Sequence, residues 1–184
     1  MKRVADIFSS LLALALLAPL LLLAALAVAV DSGWPVLFKQ TRVGRGGHEF
    51  GMYKFRSMVK NAAAAGPYFT QTNDARITRV GKFIRRTSID ELPQIFNVLL
   101  GHMSLVGPRP DVPVQKSLYA PQDWAARCSV RPGITGLAQA LIRSEGTHED
   151  RLALDLRYVK EANLWLDLKI IWWTLARLSG KGGN

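Results

Sequence analysis

Leu11 to Val30 is a run of twenty residues with no charge and no polar side chain. As a helix it measures about 30 Å, enough to cross the hydrocarbon core of a bilayer. Three arrangements accommodate it: a signal peptide, a single span, or a helix that enters the membrane, bends at Pro19 and leaves by the same face. A signal peptide fits the basic start and the small-residue end, but its apolar region would be unusually long. Pro19 removes one backbone hydrogen bond and crowds the preceding turn, yet membrane helices tolerate proline, so the kink alone decides little. The flanks are more informative. Lys2 and Arg3 precede the run, and Lys39, Arg42 and Arg45 follow it. Basic flanks favour the cytoplasmic side, which places both ends there and favours the re-entrant arrangement, with Lys2 and Arg3 as anchors.

The rest of the chain is organised around Arg85 to Pro110, RRTSIDELPQIFNVLLGHMSLVGPRP. Asp90 and Glu91 stand at the predicted start of a helix. Ser88-Ile89-Asp90-Glu91 fits a capping box, while Pro93 argues for a slightly later start. On either reading Asp90 lies where backbone N–H groups are unpaired and the helix dipole is positive. Gly101 is the expected stop after Leu100. Acidic residues often do no more than decorate a helix N-terminus. Here Arg85, Arg86 and Arg109 surround one acidic pair, which suits a phosphorylated substrate plus a metal.

Composition narrows the chemistry. Lys and Arg number 24 against 14 Asp and Glu, a formal charge of +10 over 184 residues. That balance implies an anionic partner: nucleic acid, anionic lipid or a phosphorylated substrate. A single cysteine, Cys128, excludes an intramolecular disulfide framework and a Cys-rich zinc site. His48, His102 and His148 have no metal-ligand spacing. Neither an internal repeat nor a second domain is evident.

Val36–Gln40 and Phe50–Phe55 read as strands around the turn Gly44-Arg45-Gly46-Gly47, which lacks the Walker pattern and reads as a hairpin turn. Tyr53-Lys54-Phe55-Arg56 could stack on a base and hold phosphate, or be an edge strand with solvated charges, the commoner case. Asn61–Gly66 reads as helix followed by a loop through Asp74 that lies over the site. Val80–Ile84 leads into the central stretch, and Asp111–Trp124 reads as one short helix with loops. Arg131, in a turn signature reaching Leu137, and Arg143 are either phosphate ligands or surface residues. From Glu149 to Leu178 the chain is helical. Leu164, Trp165, Leu168, Ile171, Trp172, Leu175 and Leu178 recur at helical steps, with Asp167, Lys169, Thr174 and Arg177 largely elsewhere. Such a stripe usually faces a core. Three tryptophans in it, Trp165, Trp172 and Trp173, make docking at a membrane interface a serious alternative. The tail Gly180–Asn184 reads as disordered.

Taken in order, Lys2-Arg3-Val4-Ala5-Asp6, the proline-containing apolar run, Tyr53 to Met58, Asp90-Glu91-Leu92-Pro93-Gln94, Gly107-Pro108-Arg109-Pro110 and Arg131 to Leu137 resemble the bacterial sugar transferase family, the monotopic phosphoglycosyl transferases. The resemblance runs from Lys2 to about Arg177, and five motifs in order make it highly specific. It implies an α/β fold, mostly helical with a small sheet, a re-entrant membrane helix (residues 1–35) and interfacial amphipathic helices. Residues 36–184 form one catalytic domain on the cytoplasmic face of the bacterial inner membrane. The implied reaction moves a sugar-1-phosphate from a UDP-sugar to undecaprenyl phosphate and releases UMP. Asp90 matches the nucleophile that becomes a phosphosugar ester, and Glu91 belongs with it to the Mg²⁺ cluster. Arg85 and Arg109 match arginines near the substrate phosphates, as does Arg143, although the expected Asn-Gly before it is Leu141-Ile142. Arg131 is a further phosphate-binding candidate. Besides donor and acceptor, the partners implied are membrane phospholipids, with a homodimer admitted and no nucleic acid. His102 stands where the family usually has an acidic residue. Either the protein compensates for the lost carboxylate or the exchange is a harmless surface one. A glycosidase needs its two carboxylates about 5 Å or more apart across a sugar, which neighbours in a helix do not provide. A non-enzymatic, membrane-anchored basic binding protein is the remaining alternative. It leaves the acidic pair and the Pro-Arg-Pro turn unexplained.

Overall fold

The computed structural model describes residues 1–62, 65–66, 70–71, 74–142 and 146–179. Helix α1 (Lys2–Ser32) carries the apolar run and stays helical through Pro19, so the expected break is not an interruption of the helix. Proline forfeits one N–H bond, and the remaining bonds of the adjoining turns hold the helix together. Phe8, Leu16, Leu22, Leu23, Leu26 and Val30 face outward. Its buried residues are Asp6 and Ser10 near the start and Ala24 and Val28 near the end, with none from Leu11 to Leu23.

Both ends are nevertheless seated on the same body. At the start, Asp6 accepts from Ser104 Oγ (2.9 Å) and Leu105 N (3.2 Å), and Arg3 donates to the Val98 and Leu99 carbonyls (2.6 and 2.9 Å). Lys2 pairs with Asp167 at 2.6 Å. At the end, Ala24 and Val28 pack with Phe55 and Ile84 in one cluster. Arg56 donates to the Ser32 and Gly33 carbonyls, closing the last turn of α1.

A hairpin follows, β1 (Leu37–Val43) against β2 (Glu49–Phe55), antiparallel from Leu37↔Phe55 to Val43↔Glu49. As the spacing predicts, Gly44 to Gly47 forms the turn, with Gly46 and Gly47 at positive φ. Of Asn61–Gly66, the described residues form turn and bend rather than the expected helix, and Ala63 and Ala64 lie outside the described residues. Helix α2 (Arg79–Arg86) starts on Thr78, whose hydroxyl accepts from Gly81 N.

The central stretch departs from the capping-box expectation. Ser88 has φ 58° and makes no side-chain cap bond. Its N–H bonds the Arg85 carbonyl at 3.2 Å, finishing α2, while its own carbonyl accepts from Glu91 N (3.2 Å) and opens the short 3₁₀ turn that follows without a side-chain cap. Ile89–Glu91 is a 3₁₀ turn, and α3 (Gln94–Leu99) begins after Pro93, the later start that the proline favours. Gly101, at φ +86°, ends α3 as predicted. Its N–H bonds the Val98 carbonyl at 3.0 Å.

Strand β3 (Ser104–Val106) pairs in parallel with β4 (Gly133–Thr135). Two glycines allow the backbones to meet. A Cβ on Gly107 would fall 2.3 Å from the Arg131 carbonyl oxygen, and one on Gly133 would fall 2.1 Å from Gly107 N. This contact fixes the root of the Pro108-Arg109-Pro110 turn. Between β3 and β4, where one short helix is predicted, lie a 3₁₀ helix (Pro113–Leu118) and α4 (Pro121–Arg127). Tyr119 and Ala120 separate them.

Helix α5 (Leu137–Leu141) precedes the C-terminal helical region, which is two helices, α6 (His148–Glu161) and α7 (Leu164–Ser179). Tyr158, Ile170, Val106, Leu137 and Ala140 form the core there. Helix α7 carries apolar residues on two faces, with Ile170 in the core and a second stripe turned outward. Asp167 is buried, accepting from Tyr158 Oη (2.7 Å), and Thr174 bonds Thr135 (2.7 Å), so these polar residues face the protein. Trp165 and Trp172 are each 66% exposed, with Leu168 and Leu175 beside them on the outward stripe. Trp173 packs inward against the core. The tail Gly180–Asn184 lies outside the described residues.

The architecture is therefore mostly helical with two small sheets, as the α/β expectation holds, and α1 is long and apolar enough to cross a membrane.

Candidate active site

Three elements converge on the acidic pair: β2 brings Lys54, the turn after α2 brings Asp90 and Glu91, and the loop after β3 brings Arg109. Glu91 sits between two cations, 2.8 Å from Lys54 Nζ and 2.7 Å from Arg109 Nη2. Burial opposes its ionisation, but the Arg109 and Lys54 charges outweigh burial and hold it well below the usual carboxylate range. Glu91 in turn raises Arg109, while burial lowers Lys54 despite the partner.

Asp90 has the opposite character. It is 8% exposed, and among the described residues its carboxylate has no hydrogen-bond partner. Burial and the neighbouring Glu91 charge push it up to about 6, against the opposing pull of Lys54, Arg85 and Arg109. Two adjacent carboxylates are thus driven apart, one fixed as an anion and one poised near neutrality. A buried carboxylate that is ionised but unpaired is a strong nucleophile, and the cations nearby suit an anionic substrate.

The predicted cations sort into groups. Arg109 binds Glu91. Arg85 lies close enough to act on Asp90, and its guanidinium reaches Thr70 Oγ1 (2.8 Å) and Ser57 Oγ (3.4 Å). Arg86 is exposed. Arg131 donates to the Gly101 carbonyl (2.9 Å) at the far end of α3, where it closes that helix. Arg143 lies outside the described residues. Lys2 and Arg3, expected as anchors, have their charged ends on Asp167 and on α3. His102 is exposed and stacks on Phe50 with centroids 5.6 Å apart, in keeping with a surface exchange.

Several site residues are not evident in the sequence. Lys54 and Arg56 are not the solvated edge charges the commoner reading expects; one holds Glu91 and the other ends α1. Alternation along β2 offers only the hint that such charges point to opposite faces from Tyr53 and Phe55. Arg42 donates to the Pro110 carbonyl (3.0 Å), and burial, then Arg109, lowers it to about 10. Arg127, buried, pairs with Asp111 (2.7 Å) and Asp155 (2.8 Å) and donates to the Arg109 carbonyl. Asn97 accepts from Tyr53 N (2.9 Å) and donates to the Gly51 carbonyl (2.8 Å), locking α3 to β2. These partners are 16 to 68 residues apart, beyond any local motif.

Among the described residues no cluster of three or more His, Cys, Asp or Glu could enclose a metal. Mg²⁺ needs no such cage, because it is commonly bound by one or two carboxylates plus substrate phosphates and water. Adjacent oxygen donors at Asp90 and Glu91, the former unpaired, fit that mode.

The chain matches the family model described as bacterial sugar transferase over residues 1–181. It is 46% identical to a UDP-glucose:undecaprenyl-phosphate glucose-1-phosphate transferase of Caulobacter vibrioides, over 96% of this chain and 69% of that protein. A UDP-N-acetylgalactosamine-undecaprenyl-phosphate N-acetylgalactosaminephosphotransferase of Aeromonas hydrophila is 43% identical over 100% of this chain. The chain spans only 45% of the length of that relative. The exopolysaccharide production protein PSS of Rhizobium leguminosarum bv. phaseoli is 45% identical, over 99% of this chain and 98% of that protein.

Proposed function

The chain belongs to the bacterial sugar transferase family, and on that premise we propose that it transfers a sugar-1-phosphate from a UDP-sugar to undecaprenyl phosphate, releasing UMP. The observation that carries the mechanism is the split pair: Asp90 buried, unbonded and raised, beside Glu91 held as an anion by Lys54 and Arg109. An Asp90 carboxylate oxygen attacks the β-phosphorus of the donor. The bond from that phosphorus to the bridging oxygen breaks, and its electron pair leaves with UMP. Asp90 then carries the sugar phosphate as a labile acyl phosphate. A phosphate oxygen of undecaprenyl phosphate attacks the same phosphorus, forms the pyrophosphate product and returns Asp90 as a carboxylate. Splitting the transfer in two gives ping-pong kinetics.

Arg109 and Arg85 neutralise the pyrophosphate as it approaches an anionic nucleophile, and Lys54 keeps Glu91 ionised and in place. Asp90 and Glu91, together with the donor phosphates, would hold Mg²⁺, which would supply further charge neutralisation when bound. The environment of α1 suits a monotopic protein on the cytoplasmic face. A one-way span would carry Lys2 and Arg3 across the membrane, whereas their bonds to Asp167 and α3 keep them with the catalytic body. The outward stripe of α7, with two tryptophans, suits the interface on the same side. Residues 1–35 then form the membrane unit and 36–184 the catalytic unit, with Mg²⁺, phospholipid contact and any homodimer part of the same reading.

The test is nucleotide release. Purified protein in detergent with Mg²⁺ and undecaprenyl phosphate is offered UDP-sugars, beside an Asp90→Asn control. UMP release that disappears in the control is expected. Release of UDP, or UMP release undiminished by Asp90→Asn, contradicts the reading.

A further inference from the structure

Helix α2 has one face on the protein and one open to its surroundings. Val80 and Ile84 pack with Ala24 and Val28 of α1, and Val80 N donates to Asp31 Oδ2 (3.2 Å). The helix therefore lies against the last turns of the apolar helix. Its other face presents Arg79, Lys82, Phe83 and Arg86, all exposed, at the i, i+3, i+4 and i+7 steps that share one side of a helix. Phe83, 53% exposed, is the member of this face closest in angle to Val80, and so closest to the side that meets α1. Just past Gly33, which caps α1, Trp34 is 72% exposed at the same end. Tryptophan favours the boundary between membrane and water.

The charges on this face are unmatched. No acidic residue occurs between Asp74 and Asp90, and the side chains of Arg79, Lys82 and Arg86 make no hydrogen bond or ion pair among the described residues. Asp31, the carboxylate at the start of α2, is engaged by the Val80 N–H. A solvated helix face commonly mixes signs, as α6 does where Arg157 pairs with Glu161 at 3.1 Å. Cations of one sign grouped around an aromatic ring, beside an apolar helix, suit the bilayer surface instead. There the charged heads stay level with the headgroups while the ring reaches toward the acyl chains. We propose that the face formed by Arg79, Lys82, Phe83 and Arg86 docks on anionic phospholipid headgroups and gathers them at the exit end of α1. The contact is non-covalent and electrostatic, so salt weakens it. It rests on the reading that α1 seats the protein in the membrane.

The test uses the whole chain in phosphatidylcholine vesicles that contain a minor share of phosphatidylglycerol. Protein is extracted in mild detergent, and the lipids that stay with it through purification are quantified. The expected result is phosphatidylglycerol enriched about fivefold or more over its share in the vesicle, the worth of one cation at an anionic surface. Arg79→Gln/Lys82→Gln/Arg86→Gln should carry the two lipids in their bulk ratio, with a melting temperature near wild type because the changes are on the surface. Each of the three single variants should lose part of the enrichment, which keeps the test decisive if the triple variant unfolds. Arg157→Gln/Lys160→Gln, on α6, should retain it. Enrichment that persists in the folded triple variant, or in all three single variants, overturns the role of α2. So does a labelled DNA duplex that binds wild type but not the triple variant while neither prefers phosphatidylglycerol. Wild-type protein that alkaline carbonate strips from the vesicles overturns the membrane seating of α1 and the proposal together. A chain that resists carbonate but shows no lipid preference overturns the α2 face alone.

Discussion

Two networks of buried charge meet on the Gly107–Asp111 loop, and they are built on opposite principles. Around Arg127 every charge is answered: Asp111 and Asp155 take its guanidinium, Tyr119 bonds Asp111 at 2.8 Å, and a third guanidinium N–H goes to the Arg109 carbonyl. Around Asp90 and Glu91 the pairing stops halfway, with Glu91 doubly held and Asp90 without a hydrogen bond among the described residues. The satisfied network fixes the backbone from which Arg109 reaches Glu91. The unsatisfied one holds the carboxylate that the proposed mechanism uses as its nucleophile. Stability and function thus occupy neighbouring but separate groups of atoms.

Asp90→Asn is the sharpest way to break the contrast. Turnover should fall to background, while the protein gains stability at neutral pH. The sign follows from the raised pKa of about 6 against 3.8 for an ordinary aspartate carboxyl. The wild-type fold is favoured with Asp90 protonated, and that advantage is lost as pH rises between about 4 and 6. The full loss is up to about 3 kcal/mol. An amide does not ionise, so the melting temperature of Asp90→Asn should exceed wild type at pH 7 and converge with it near pH 4. Thermal unfolding at the two pH values checks this.

Arg127→Met attacks the satisfied side. It leaves Asp111 and Asp155 buried without their cation, and should destabilise by about 3–5 kcal/mol in denaturant unfolding. Arg109→Ala leaves that network's side chains intact and removes one holder of Glu91. The expected change is a loss of about 10²-fold in kcat/KM with a small shift in melting temperature. A smaller effect is the acid limb of the rate. Below about pH 6 Asp90 protonates, and single-turnover UMP release should fall about tenfold per pH unit. The smallest effect concerns the turn itself. Ser88 holds φ 58°, and Ser88→Gly should relieve that strain, stabilising by roughly 0.5–1 kcal/mol if the loss of strain outweighs the added chain entropy. Equilibrium unfolding resolves it.

Local signals were legible and tertiary ones were not. The apolar run, the glycine hairpin, Gly101 as a helix stop and the acidic pair all follow from properties of adjacent residues. Ser88 shows the limit of such signals, because the Ser-x-x-Glu pattern fits a side-chain-capped helix start, while here the serine joins α2 to a 3₁₀ turn through its backbone alone. The stripe on α7 is visible in the sequence, but its direction is not. Burial of Asp167 beneath Tyr158 and Lys2 sets the helix so that Trp165 and Trp172 point outward while Trp173 packs inward. Lys54, Arg127 and Asn97 draw their meaning from partners distant in the chain, and no spacing rule connects them. The family motifs point to Asp90 and Glu91 together, whereas the division of labour between them depends on which one Lys54 and Arg109 reach.

The most direct measurement is the intact mass of the protein after incubation with Mg²⁺ and a UDP-sugar in the absence of undecaprenyl phosphate. The account predicts a gain equal to one sugar phosphate, mapped by peptide analysis to Asp90, absent from Asp90→Asn and discharged when undecaprenyl phosphate is added. An unmodified wild-type chain that releases UMP only with the acceptor present would show a direct single displacement, and would contradict the claim that Asp90 is left unpaired to serve as the nucleophile.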